Sequence, residues 1–128
     1  MMVLQLVCMA TAIFFEAGNQ PVAGKIAVGN VIMNRVSDYR YPDTPCTVVK
    51  QSKSSGCQFS YWCDGKPENA NTSSLAYKDS WRAAVMAYNN AVDASFGATH
   101  YHADYVYPNW AEQEKVTVRI AQHIFYRL

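Results

Sequence analysis

The residue best suited to chemistry is Glu16. It follows Phe14-Phe15 at the end of an apolar run and is the only acidic residue among the first 37 positions. A carboxyl group in apolar surroundings has its pKa raised, because desolvation disfavours the ionised form. A general acid working near neutral pH needs that property. The bland alternative is a solvated glutamate at a helix end. Negative charge there opposes the helix dipole, so a stabilising role does not account for it.

Thr99-His100-Tyr101-His102 forms a second group. On an extended segment two histidines spaced i, i+2 project to one face, and Asp104 joins them. With Asp104 or Glu112 such a pair could begin a metal site. Catalytic zinc ordinarily takes three protein ligands, however, and no third lies at telling spacing. The favoured reading is hydrogen-bonded histidines in a polar groove, with no metal and no other cofactor. His123 stands alone and carries less signal.

The third group runs Gln58-Phe59-Ser60-Tyr61-Trp62-Cys63-Asp64. Aromatic rings interleaved with short polar groups suit a sugar-binding wall, in which rings stack on the sugar while Gln58, Ser60 and Asp64 bond hydroxyls. One or two of these aromatics are expected in the core. A Ser60-His102-Asp104 triad is formally possible, but nothing resembles the strained Gly-x-Ser-x-Gly turn. The sequence has no phosphate loop or dinucleotide fingerprint.

Helices and strands must hold these groups in place. Val3, Leu6, Val7, Ala10, Ile13, Phe14 and Ala17 recur every three or four positions, which predicts a helix over 3–17. Gly18-Asn19 is expected to end it through the left-handed conformation that glycine tolerates. Pro21 suits the first turn of a second helix over 20–37. Gly24 and Gly29 would let another element approach closely, and the two helices read as a tight hairpin. Residues 38–72 are rich in turn formers, and a long irregular region in a compact domain is more often functional than a spacer. A third helix is expected over 75–94, with Trp81, Ala84, Val85, Tyr88 and Val92 on one side. Residues 98–106 read as extended. Alternation of Val116, Val118 and Ile120, then of Ile124, Tyr126 and Leu128, predicts a half-buried β-hairpin. The expected fold class is α+β, a helical body with a small antiparallel β-sheet, in one domain over 1–128.

The chain has 128 residues, 50% of them hydrophobic and 16% charged, with a net charge of +1. This balance excludes a polybasic nucleic-acid binder and an acidic disordered tail. Nine Tyr, five Phe and three Trp could fill a core or line a groove. The apolar N-terminal stretch has no basic segment and falls short of the roughly 20 residues a bilayer span needs. It reads as a core helix, so neither a signal peptide nor membrane insertion is expected. Four cysteines leave disulfides or free thiols open. Cys46, Cys57 and Cys63 lie close in sequence, whereas Cys8, inside the apolar run, is expected to be a buried thiol.

Several blocks together resemble one family. Phe15-Glu16-Ala17, Pro21-Val22-Ala23-Gly24-Lys25-Ile26-Ala27-Val28 and Val31-Ile32-Met33-Asn34-Arg35-Val36 resemble the opening of the SleB-like cell wall hydrolases, which include spore-cortex-lytic enzymes and phage relatives. The likeness continues through Tyr41-Pro42, Cys46-Thr47-Val48-Val49, Gln58 to Gly65 and Gly97 to His102. It ends with Pro108-Asn109-Trp110-Ala111 and His123-Ile124-Phe125-Tyr126-Arg127. The resemblance implies a lysozyme-like or lytic-transglycosylase-like α+β catalytic domain that cuts peptidoglycan glycan strands on the bacterial cell wall. The family's catalytic glutamate follows the aromatic pair ending the first helix, which here is Glu16. Many relatives read Glu-Ala-Arg-Gly-Glu at this point, whereas this chain reads Glu16-Ala17-Gly18-Asn19-Gln20. Gln20 therefore stands at the family's second acidic position and cannot act as acid or base.

A single carboxylate fits lytic transglycosylation between N-acetylmuramic acid and N-acetylglucosamine. Tyr61 and Tyr101 are candidates to support the charged transition state. Phe59, Tyr61, Trp62, Tyr101 and Trp110 are expected to form the sugar-binding cleft, together with Gln58, Ser60, Asp64, Thr99 and His102. A hydrolytic muramidase would add Asp64 or Asp104 as second carboxylate. A non-catalytic peptidoglycan-binding module and, more distantly, a metal-dependent amidase are the other readings. A monomer is expected, and a compact leaderless form suits a phage lysin released from the host cytoplasm.

Overall fold

The computed structural model describes residues 2–53, 56, 57, 59–63 and 70–128. Helix α1 spans Met2–Ala17 and buries Leu6, Met9, Ala10, Ile13 and Ala17 along one stripe. Val3 and Val7, expected on that stripe, are exposed. Helix α2 spans Val22–Val36, and every residue from Gly24 to Ile32 is buried. It is the central helix, packed against α1 and against α4 (Leu75–Tyr88). Among the described residues no helix is long and apolar enough to cross a membrane.

Close approach to α2 depends on Gly29. A Cβ there would lie 2.8 Å from the Ala87 Cβ on α4 and 3.3 Å from Ile13 Cδ1 on α1. Gly29→Val should therefore destabilise the fold by about 1–3 kcal/mol, the usual cost of overpacking. Urea denaturation of the two proteins measures this directly. At Gly18 the expected left-handed backbone is not found, because Gly97 is the only glycine with positive φ among the described residues. Glycine is needed at Gly18 for space, since a Cβ would collide with the Phe14 carbonyl oxygen.

The region expected to be irregular contains short elements. Helix α3 spans Pro45–Val49, with Pro45 in its first turn and the Thr44 side chain accepting from the Thr47 N–H. Strands β1 (Ser52–Lys53) and β2 (Gly56–Cys57) pair antiparallel, and a 3₁₀ turn follows over Ser60–Cys63. Cys8 is no buried thiol. It is joined to Cys46, with Cα atoms 5.2 Å apart, and this bond ties α1 to α3. Cys8 lies off the buried stripe at the rim where α3 docks, which is why its apolar neighbours mislead. Cys57 is joined to Cys63 across the 3₁₀ turn.

Helix α4 stops at Tyr88, six residues short of expectation. Asn90 adopts φ 55°, and the Ala91 N–H returns to the Met86 carbonyl at 3.0 Å, a helix-ending turn that asparagine accepts readily. Buried Asn30 then holds the departing chain, donating to Val92 O and accepting from Ala94 N–H, both at 2.8 Å. The buried face of α4 is Tyr77, Ser80, Ala83, Ala84 and Ala87. Trp81, Val85 and Tyr88 are half-buried, and Val92 is exposed.

The second sheet is antiparallel in the order β3-β5-β4, with β3 His100–Ala103, β4 Val116–Ile120 and β5 His123–Tyr126. The expected hairpin is present, but its burial does not alternate. Phe125 and Tyr126 are both buried, because β5 is the central strand and is covered on both faces. Phe125 packs into the helical core, while Tyr126 meets Trp110 and His102. The ladder shifts register between Val116 and Val118, and the Thr117 hydroxyl donates to Ser95 O at 2.7 Å. The architecture is α+β, with the edge strand β3 lying where the end of α1 meets the sheet.

Candidate active site

Glu16 occupies the last turn of α1, and Tyr101 lies on edge strand β3. The Tyr101 hydroxyl donates to Glu16 Oε1 at 3.1 Å. Burial pushes the Glu16 carboxyl above the ordinary carboxylate range, and the Tyr101 hydrogen bond offsets part of the rise. Burial and the neighbouring carboxylate together hold the Tyr101 phenol well above its ordinary value. Tyr101 thus stays protonated and acts as the donor of the pair.

Two clefts meet at Glu16. One, of about 510 Å³, is largely aromatic, with Phe15, Phe59, Tyr101 and Trp110 in its walls and Arg35 and Ser60 beside them. The other, of about 670 Å³, is lined by Phe14 and the amides of Asn19, Gln20 and Gln122. Glu16 is the only acidic side chain lining either lobe among the described residues. Because β3 is an edge strand, all four of its residues border the aromatic lobe, whichever face they occupy.

The other candidates from the sequence divide. Ser60, Tyr101, His102 and Trp110 line the aromatic lobe, as does Phe59, although Phe59 is only 1% exposed and belongs equally to the core. Tyr61 and Trp62 do not reach either lobe. They border a smaller cavity with Val7, Cys8 and Val49. Tyr61 still contributes indirectly by stacking on Phe15 at 5.0 Å, and Lys50 sits over the Trp62 ring. Thr99 is buried and ties strands together. Its hydroxyl meets His100 Nδ1 and the Leu128 N–H, and its carbonyl accepts from Arg35 Nε at 2.7 Å. Gln58 and Asp64 lie outside the described residues.

The histidine pair shares a face with Trp110 and Tyr126, and Asp104 does not join it. Asp104 lies past the end of β3 and pairs with Arg119 at 2.9 Å. His102 has both nitrogens engaged, Nδ1 with Ala103 O and Nε2 with the Tyr126 hydroxyl, each at 2.7 Å. A Ser60-His102-Asp104 relay is therefore not assembled. Among the described residues no group of three or more His, Cys, Asp or Glu side chains is arranged to hold a metal ion.

Gln20 has a structural task. Its Nε2 donates to Gln122 Oε1 at 2.9 Å, and its Oε1 accepts from the Gln122 N–H at 3.2 Å. The Lys25 ammonium caps the Gln20 carbonyl at 2.7 Å. These bonds clamp the α1–α2 turn to the β4–β5 turn and so fix the end of α1 that carries Glu16. Two further cleft residues, Arg35 and His123, carried little sequence signal. A polar residue two positions before Phe125 on the core face of β5 is the pattern that marks His123.

This arrangement, a helical body whose first helix presents a glutamate to a cleft beside a small sheet, is a lysozyme-like α+β fold. The chain belongs to the Cell Wall Hydrolase family, whose family model matches residues 19–126. That match begins just after Glu16, so the place of Glu16 rests on the geometry. The chain is 30% identical over 118 residues to the spore cortex-lytic enzyme of Halalkalibacterium halodurans, covering 91% of this chain and 33% of that protein. The corresponding enzyme of Oceanobacillus iheyensis is also 30% identical, with 91% of this chain and 39% of the relative covered. The chain thus spans little more than a third of the length of these relatives. In three dimensions it resembles the catalytic domain of the germination-specific lytic transglycosylase SleB from Bacillus anthracis, with a TM-score of 0.77 and 26% identity over 96% of this chain and 93% of that one. The catalytic domain of Bacillus cereus SleB matches with a TM-score of 0.74 at 26% identity, over 96% of this chain and 89% of that one.

Proposed function

We propose that the 128 residues form a catalytic unit that cleaves peptidoglycan glycan strands between N-acetylmuramic acid and N-acetylglucosamine, as a lytic transglycosylase with Glu16 as its single acid–base group. The observation that carries this reading is a burial-raised carboxyl at the junction of two lobes, with Tyr101 as its donor and no second acidic side chain lining either lobe among the described residues.

Protonated Glu16 donates to the bridging oxygen, and the glycosidic bond breaks toward an oxocarbenium-like centre. The resulting carboxylate takes the proton of the muramoyl C6 hydroxyl, whose oxygen closes on C1 to form a 1,6-anhydro ring. The leaving N-acetylglucosamine keeps the first proton, so the acid is regenerated and no water is consumed. Tyr101, held as a donor, steadies the carboxylate between these transfers. The aromatic lobe supplies stacking surfaces for sugar rings, which suits a substrate bound by apolar faces and hydroxyls more than by charge.

A two-carboxylate muramidase needs its carboxyls about 5–5.5 Å apart if retaining, or about 6.5–9.5 Å if inverting. The Arg119 pairing of Asp104 weighs against that residue as the partner. Mass spectrometry of products from defined muropeptide polymers tests the proposal. Anhydro-muramoyl ends are expected, and reducing ends would overturn it in favour of hydrolysis. An intact polymer would leave only a binding module.

A further inference from the structure

His123 opens strand β5 opposite Ala103, on the face that carries Phe125. Its ring lies 5.2 Å from the Tyr101 ring, whose hydroxyl is bonded to Glu16. Phe15, Glu16, Ala103, Tyr105 and His123 are the residues common to both lobes. Of the polar side chains among them, His123 alone is buried, with 7% of its surface exposed. Its Nδ1 is sealed from solvent and has no hydrogen-bond partner among the described residues. Such orphaned groups are rare in folded proteins and call for a reason.

Burial lowers the His123 pKa; the Asp104 charge works against this and His102 reinforces it. The ring is therefore neutral, with one nitrogen a donor and the other an acceptor. A buried N–H without a partner is tolerated less well than a bare acceptor. On that ground the proton belongs on Nε2, the nitrogen that the groove can reach. A donor at the seam of two lobes faces whatever lies across Glu16. On the glycan-cleaving reading, that is an N-acetylhexosamine unit rich in hydroxyl, ring and acetamido oxygens.

We propose that His123 is a substrate-contacting residue whose Nε2–H donates to a sugar oxygen at the junction of the lobes, holding the scissile unit over Glu16. This rests on the glycan-cleaving function proposed above, and two measurements separate the two ideas. The first uses the Glu16→Gln variant, which leaves the glycan intact whether or not the parent cleaves it. Imidazole ¹⁵N spectra are recorded while an uncrosslinked peptidoglycan tetrasaccharide is added. A saturable shift of the His123 Nε2 signal is expected. Saturation seen at other signals with His123 unmoved, or no binding at all, would overturn the contact.

The second measurement is steady-state cleavage. His123→Phe keeps an aromatic ring at the site and removes both nitrogens, and it should lower kcat roughly 10²-fold with little change in KM, as loss of one preorganised donor at a reacting centre does. His123→Gln places an amide N–H near the Nε2 position and should recover most of the rate. His123→Asn, whose amide falls near Nδ1, should not. Equal rates for Gln and Asn, at either the parent or the Phe level, would show that His123 only packs. Product analysis of the parent decides the glycan-cleaving reading independently of all three variants.

Discussion

Glu16→Gln is expected to remove cleavage almost entirely, lowering kcat by roughly 10³–10⁴-fold, the upper part of what one acid–base group contributes. The loss falls at that end because the same carboxyl serves both halves of the proposed reaction. Glutamine keeps the shape and an acceptor oxygen for Tyr101, so the fold should survive intact. The variant should also be more stable than the parent at neutral pH. The folded protein holds the Glu16 proton more tightly than the unfolded chain does, because burial raises its pKa. Stability from this group is therefore full below the unfolded carboxylate value, about 4.3, and is lost as pH rises toward the folded value. The difference between variant and parent should widen across that window and then level off. Thermal denaturation at a series of pH values checks the sign, and zymograms on purified walls check activity. A variant that clears walls at the parental rate would show that Glu16 is not the acid.

The second large effect is expected at Tyr101→Phe. Its hydroxyl donates to the Glu16 carboxyl, and that bond favours the ionised form.

 Removing it raises the Glu16 pKa further, because the ionised carboxylate loses its donor while burial remains. The alkaline limb of the kcat profile, where the acid loses its proton, should move to higher pH. At the same time kcat itself should fall roughly 10²-fold, the usual consequence of deleting one preorganised donor at a charged transition state. A structural lesion would lower activity at every pH without moving the limb. The pH profile therefore distinguishes a donor to Glu16 from a residue that merely packs against Phe125.

Much of this protein is local and so could be read along the chain. The buried stripe of α1, the breaker after it and the alternating hairpin residues each express a short-range preference, and each produced the expected element. Glu16 was legible for the same reason, since its oddity lies in its immediate neighbours. The Thr44-Pro45 start of α3 was also local, but turn-rich surroundings hid it.

What failed in the reading depended on partners distant in sequence. Cys8 has an apolar helical context, yet its fate is decided by Cys46, 38 residues away. Helix α4 ends at a local turn on Asn90, but the path of the chain beyond it is set by Asn30, which donates to the carbonyl of Val92, 62 residues later. Tyr61 and Trp62, expected in a sugar wall, border a separate cavity, with Tyr61 stacked on Phe15 next to Glu16. Composition states what a side chain can do; only the fold decides where it points. Helices α1 and α2, the body of α4, the hairpin and the chemically odd glutamate were legible because they are properties of neighbouring residues. Tyr101 and His123 come from different strands, and only the packing of the sheet against α1 brings them to the cleft that holds that glutamate.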